Sequence, residues 1–256
     1  MRVEPPPSLA WATGTISAAT ADAEPPEEPP DVRAGSHGLR VALTVTPPLD
    51  VPVEPARAQA ARDAAALLES LGHDVEEADA PWREPHVGQL FRALFAPLVM
   101  LQVAQARLIT GREPNEDELE PLSSALWQFV GGMTGLDAHL AAAQLEIFAR
   151  SLLGWMDRYD VIVAPALAEA PVLLDTVGWR TDDPMGLFRR SGEFTPFTAV
   201  ANITGQPAIS LPLYEHEGLP VGVQLFGRPA QEGALLAVAA QLEAARPWAD
   251  RRPPGA

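Results

Sequence analysis

Between residues 39 and 77 the hydrophobic periodicity switches from strand to helix and back, and that alternation leaves few folds open. Residues 39–45 (LRVALTV) are a β-rich run stopped by Pro47 and Pro48, because proline offers no N–H to a sheet ladder and fixes its own φ. Pro55 then stands at a helix entrance and Gly72 just past its exit. They frame a helix over 56–71 whose apolar stripe is Ala60, Ala64, Leu67, Leu68 and Leu71. Residues 73–77 (HDVEE) read as the next strand. A strand, a helix and a strand in so short a span predict a βαβ unit with its two strands parallel. Residues 160–164 (DVIVA) add a short apolar strand of the kind buried on both faces of a sheet. The expected fold class is α/β.

Residues 84–158 are helical in pattern. Val87, Leu90, Phe91, Leu94, Phe95 and Leu98 recur at three- and four-residue spacing, and Pro97 is expected to kink that helix. Gly111 ends it. Pro121 opens a second, shorter helix closed by Gly131 and Gly132, and a long third one runs from about 136 to 158, entered through Thr134 or Asp137. Residues 165–194, with Pro171, Gly178, Pro184, Gly186 and Gly192, read as irregular. A turn of helix over 196–203 is broken by Gly205-Gln-Pro207. Strands at 208–213 and 221–226, joined by the polar turn 215–218, form a hairpin, and an amphipathic helix over 230–245 closes the chain. The sum is a mixed β-sheet of about five strands flanked by helices. Residues 1–38 differ in composition: prolines at 5–7, 25–26 and 29–30 with Glu24, Glu27, Glu28 and Asp31 mark a linker-like segment, with one short helix near 16–23. The folded domain is expected over 39–256.

Composition narrows the chemistry. A net charge of −16 opposes a nucleic-acid partner, which needs clustered cations, and opposes anchoring to an anionic membrane surface. The absence of cysteine removes disulfides, thiolate catalysis and cysteine-bound metals. No basic region followed by an apolar core opens the chain, and no stretch reaches the length of an apolar spanning helix, so no membrane association and a cytoplasmic location are expected. All 18 basic residues are arginine, and there is no lysine.

Each catalytic arrangement can then be tested against the residues. A Ser/Lys pair needs an amine to accept the nucleophile's proton, and arginine stays protonated. Ser123-Ser124 lies between Pro121 and an apolar helical run, a place for capping or surface serines. The sequence 34–38 (AGSHG) is the nearest approach to a nucleophile elbow, yet such an elbow needs a strand before Ser36 and a helix after it. Here a proline-rich segment precedes it and a strand follows. His37, His73, His86, His139 and His216 show no paired metal-ligand spacing. His73, just after a helix-ending glycine, is placed to satisfy terminal carbonyls. Glu76-Glu77 and Asp182-Asp183 are solvated pairs, and the six tryptophans are dispersed, with Trp179 in the irregular loop the one exposed candidate for binding. No catalytic residue, metal ligand or cofactor is assigned.

The run 197–212 (FTAVANITGQPAISLP) followed by 218–227 (GLPVGVQLFG) resembles the C-terminal signature of the amidase-signature family of serine hydrolases. Residues 38–43 with the helix ending at His73, and 159–165 (YDVIVAP), are similar to further family segments in the right order. Gly14, Ile16 and 21–23 are similar in spacing to the family's helix entrance just downstream of its catalytic serines. The resemblance implies a partial amidase-signature fold and, as ancestral reaction, amide C–N hydrolysis by a Ser, a second Ser on a cis peptide bond and a Lys. This sequence departs from the pattern by lacking that lysine and its Gly/Ser-rich segment, as if it began just past them. It also implies that the segment around 197–207 stands near the acyl side of a substrate cleft, with Trp179, Phe194 and Phe197 as apolar walls and Asn202 and Gln224 as hydrogen-bonding groups. Two readings follow in equal standing: half of a split amidase needing a chain that supplies the N-terminal half, or a non-catalytic binding remnant. An independent Ser/His hydrolase is the third. Loss of a front half opens a strand edge, which favours such a partner or a homo-oligomer over a lone monomer.

Overall fold

The computed structural model describes residues 38–115, 118–173 and 182–252. Its elements in chain order are β1 (Arg40–Leu43), α1 (Pro55–Ser70), β2 (Asp74–Glu77), α2 (Val87–Thr110), α3 (Pro121–Gly131), α4 (Gly135–Met156), β3 (Val161–Pro165), α5 (Pro184–Phe194), α6 (Thr198–Thr204), β4 (Ala208–His216), β5 (Leu219–Gly227) and α7 (Glu232–Ala245). The five strands form one mixed sheet in the order β2-β1-β3-β5-β4. β1 runs parallel to both β2 and β3, while β5 is antiparallel to β3 and β4. Residues 1–37, including the linker-like segment, Ser36 and His37, lie outside the described residues.

Strand alternation divides the core in two. Val41, Leu43, Val161, Val163, Val223 and Leu225 face α1 and α7, whose Ala64, Leu68, Val238 and Leu242 complete that layer. Ala42, Ile162, Ala164 and Phe226 face the other way, onto α4, α6 and Trp82. The result is an α/β/α sandwich whose central strands are apolar on both sides. Three charge contacts lock one end of it. Asp160 accepts from the Arg40 backbone N–H at 2.9 Å and its guanidinium at 3.1 Å, and Arg228 approaches the same carboxylate at 3.6 Å. The beginnings of β1 and β3 and the end of β5 are thereby joined.

The local signals explain most element ends. Thr134 and Asp137 cap each other in a capping box at the start of α4. α2 runs on through Pro97 as one helix of 24 residues. Among the described residues it is the one helix long and apolar enough to cross a membrane by length and composition alone, although Gln89, Arg92, Gln102, Gln105 and Arg107 keep it from being one uninterrupted apolar run. The β4–β5 hairpin is tighter than the sequence suggests: Glu217 and Gly218 are its two turn residues, both with positive φ (52° and 77°), as a two-residue hairpin turn requires.

Two expectations give way. The region 165–194 contains a regular helix, α5, because Asp183 accepts the Gly186 N–H at 2.8 Å and Pro184 pre-sets the first turn. That cap outweighs the two glycines. His73 meets the end of α1 through its backbone N–H, which donates to the Leu68 carbonyl at 3.1 Å, and its ring does not bind helix carbonyls. Its Nδ1 accepts the Leu39 N–H at 3.3 Å, which leaves the proton on Nε2 to donate to Gln241 at 2.9 Å. It ties the entry to β1 to α7.

Candidate functional site

A cleft of about 730 Å³ lies between the loop 47–53 and helices α2, α3, α5 and α6, within the usual size range for small-molecule sites. Its apolar wall is an aromatic row. Phe91 and Phe95 stack on successive turns of α2 at 5.3 Å, and Phe188 of α5 joins Phe95 at 6.1 Å. Met185 and Leu122 extend the wall. α5 is held to the preceding loop by the Arg190–Glu169 ion pair, and Arg189 pairs with Asp183, the residue that caps the helix's own start. A hollow of about 390 Å³ lies elsewhere, by Leu67, Tyr214 and Arg246. There Arg246 stacks on Tyr214 and donates to the Leu213 carbonyl, so its polar groups are already satisfied.

One wall of the cleft is α6, and a locked turn fixes α6 on the sheet. Gly205 ends the helix with φ 70°. The buried Gln206 amide accepts from Thr204 at 3.0 Å and donates to the Gly227 carbonyl and the Met156 sulfur, each at 3.2 Å. The Gly227 N–H returns to the Pro207 carbonyl at 2.8 Å. This Gly-Gln-Pro connection has its donors and acceptors paired within the protein, and is a rigid mount.

A row of polar groups across the same sheet face is not paired. Ala164 of β3 stands opposite Gln224 of β5, which stands opposite Ser210 of β4. Thr44, just past β1 and bonded through its N–H to the Val163 carbonyl, extends the row on the other side. Thr44 Oγ1 is buried without a hydrogen bond. Gln224 is 6% exposed, and its side-chain amide makes no hydrogen bond among the described residues but is not cut off from solvent as the Thr44 hydroxyl is. Ser210 and Ala208 are exposed, so the helical cover stops short of β4. On the opposite face Arg57, at the start of α1, buries its Nε unbonded with only Glu54 at 3.6 Å. Thr44 and Arg57 both lie where β1 ends and α1 begins, the carboxyl end of the parallel strands, where open α/β sheets place ligands.

β4 forms one border of the sheet. Arg251 and Arg246 donate to the carbonyls of Pro212 and Leu213 and so cover its middle. The preceding stretch, 208–211, has no strand on its outer side among the described residues.

Of the residues singled out from the sequence, Asn202 is exposed on α6 and lines the cleft. Phe197 has no exposed surface and packs edge-on against Trp82 at 5.8 Å. It reaches the cleft only by anchoring α6. Phe194, half-buried, lies under the Arg190 guanidinium at 5.9 Å and outside the cleft lining. Gln224 belongs to the polar row. Trp179 lies outside the described residues. The structure thus brings Asn202 to a cavity and separates it from Phe194, Phe197 and Gln224. Sequence reading missed Arg92, Phe95 and Phe188 as cleft residues. The signal was present for one of them, an arginine beside the apolar stripe of α2. Ser123 and Ser124 occupy the first turn of α3, and among the described residues no group of three or more His, Cys, Asp or Glu is placed to hold a metal.

Comparison with known proteins agrees with this architecture. The model of the family described as Amidase matches residues 12–236. The 6-aminohexanoate-cyclic-dimer hydrolase of Pseudomonas sp. (strain NK87) is 33% identical over 240 residues, covering 89% of this chain and 46% of that protein. The hydrolase of the same description from Paenarthrobacter ureafaciens is 32% identical over 239 residues, again 89% of this chain and 46% of the relative. The solved structure of a 6-aminohexanoate cyclic dimer hydrolase complexed with substrate superposes with a TM-score of 0.79 at 29% identity, over 87% of this chain and 48% of its own. The chain spans about half the length of the relatives it matches. With the family model matched over most of its residues and the sheet shared with a solved member, the chain belongs to the amidase family.

Proposed function

We propose that this chain supplies the substrate-cleft half of an amide hydrolase and that its nucleophile and base come from a second polypeptide segment. The observation that carries the reading is the buried, unbonded Thr44 hydroxyl at the carboxyl end of the parallel strands, together with the uncovered start of β4. A buried hydroxyl without a partner costs about 1–3 kcal/mol, and a bare strand border is a template for another chain. A segment laid along 208–211 covers the border, and the Thr44 hydroxyl, three strands away beside β1, calls for a group that reaches over the sheet face. The chemistry agrees. Hydrolysis of this type needs a neutral amine beside a hydroxyl, and this chain has none to offer. Substrates are amides with an apolar acyl or amine part that fills the aromatic cleft, a class to which the cyclic amide named in the relatives' descriptions belongs.

The test is complementation. The isolated chain is expected to show no serine labelled by a fluorophosphonate probe and no amide hydrolysis. Mixed or co-produced with the portion of the Pseudomonas hydrolase that lies outside the match, it is expected to form a complex that hydrolyses amides and labels on the added segment. Hydrolysis by the isolated chain, abolished by changing one of its own residues, overturns the reading. Ligand binding without any rescue favours the non-catalytic binding module instead.

A further inference from the structure

Every described arginine but one donates to a carbonyl or approaches a carboxylate. Arg40, Arg62, Arg107, Arg112, Arg150, Arg189, Arg190 and Arg228 have acidic partners within 3.5 Å. Arg57 stands 3.6 Å from Glu54. Arg83, Arg158, Arg246, Arg251 and Arg252 donate to backbone carbonyls. Arg92 has neither, in a chain whose acidic residues outnumber its basic ones by 34 to 18. Its Nε is buried and unbonded, its guanidinium lies 4.6 Å over the Phe129 ring, and it lines the aromatic cleft. Asp50 and Glu193 line the same cleft, yet neither comes within ion-pair distance of it.

We propose that Arg92 is a carboxylate anchor and that the cleft takes linear apolar ligands ending in a carboxylate. The cation–π contact with Phe129 holds the planar fork in one orientation, which lowers the ordering cost of a bidentate bond. The terminal guanidinium nitrogens, which are not buried and have no protein acceptor among the described residues, gain charge-assisted hydrogen bonds when a carboxylate arrives, while the buried Nε stays on the protein side. The Phe91, Phe95 and Phe188 row then packs a methylene chain. Asp50 and Glu193 set the number of charges: a monocarboxylate is accepted, and a dicarboxylate meets them at its second end. The inference rests on the reading of this cleft as the substrate side of an amide hydrolase, and it narrows the substrate to amides whose apolar chain carries a carboxylate.

Binding to the isolated chain tests it without catalysis. Hexanoate and hexanamide differ in charge and hardly in shape, so their dissociation constants, read by calorimetry or by ligand-observed NMR, isolate the anchor. Hexanoate is expected to bind about tenfold or more tightly than hexanamide, and adipate more weakly than hexanoate. Arg92→Gln is expected to bring hexanoate to the level of hexanamide, with a thermal midpoint near that of the parent chain. Equal binding of the two ligands by the unaltered chain, absence of hexanoate binding, or hexanoate binding unchanged in a folded Arg92→Gln variant overturns the proposal. The outcomes separate from those of complementation: rescue of hydrolysis without hexanoate binding sinks the anchor alone, and hexanoate binding without rescue sinks the split-enzyme reading alone.

Discussion

Gln224 is 6% exposed on the sheet face, and its amide makes no hydrogen bond within the described residues but is not cut off from solvent. An amide that keeps contact with solvent at the margin of a core and an apolar side chain of the same shape differ little in free energy. Gln224→Met in the isolated chain is therefore expected to leave stability unchanged or to raise it by up to about 1 kcal/mol, read from urea unfolding. A loss larger than that shows that the amide already has a partner. At this scale the sequence was legible where a residue's type settles its place. The Gly-Gln-Pro connection was readable as a rigid turn because its residues restrict the backbone locally. Phe197 was not readable as core, because an aromatic residue beside a helix start suits a cleft wall and a core equally, and only Trp82, more than a hundred residues earlier, decides between them. Arg92 carried the same ambiguity: its lack of a partner is a fact about where fourteen other arginines found theirs.

The elements were mostly legible, since strand and helix periods, Pro55, Pro121 and the Thr134–Asp137 pair act within a few residues. α5 was hidden by its glycines, and its cap is one side chain reaching three residues forward. What no local pattern gives is how the strands are fastened together, and here Asp160 joins the ends of three of them through Arg40 and Arg228. Partial burial raises its pKa, but the hydrogen bonds from Arg40 and the nearby Arg228 outweigh it and hold the carboxyl below its ordinary value. A carboxyl depressed in the folded state contributes stability above its unfolded pKa of about 3.9 and loses it as the pH falls through the folded value. The contribution should be constant from neutrality to about pH 5 and fade below about pH 4. Asp160→Asn should destabilise the chain at pH 7 and much less at pH 3, with Arg40→Gln showing the same convergence. Parallel pH profiles for parent and variant, displaced by a constant amount, would show that the carboxylate's charge is not what joins β1 to β3. Glu118, held near a pKa of about 2 by Arg112 and the Asn115 N–H, is fully exposed and joins no strands, so its replacement serves as the control.

At the scale of the molecule the question is what an α/β sheet does with a border that is covered over part of its length only. The β2 border protects itself: it is four residues long, three of them acidic, and short charged edges resist pairing. The β4 border is longer, nine residues, and its arginine cover reaches only Pro212 and Leu213. Its bare part presents Ala208, Ile209 and Ser210, with no charge to repel a second strand. Without a complementing segment, two copies can pair there antiparallel, each supplying the strand the other lacks. The isolated chain is expected to self-associate with rising concentration in sedimentation velocity. Ser210→Lys, on the exposed edge, should shift that association to higher concentration without lowering the thermal midpoint, because the added charge meets its like across the two-fold axis. Should association persist unchanged, the contact lies instead on the exposed leucines and isoleucines of α2 and α4, Leu108, Ile109, Leu136 and Ile147, a helical surface that an edge charge does not reach. The two surfaces also differ in what a complementing segment does to them. One that seats along 208–211 must abolish strand pairing and leave helix pairing intact, so adding it to the self-associated chain distinguishes the two even where the lysine variant folds poorly.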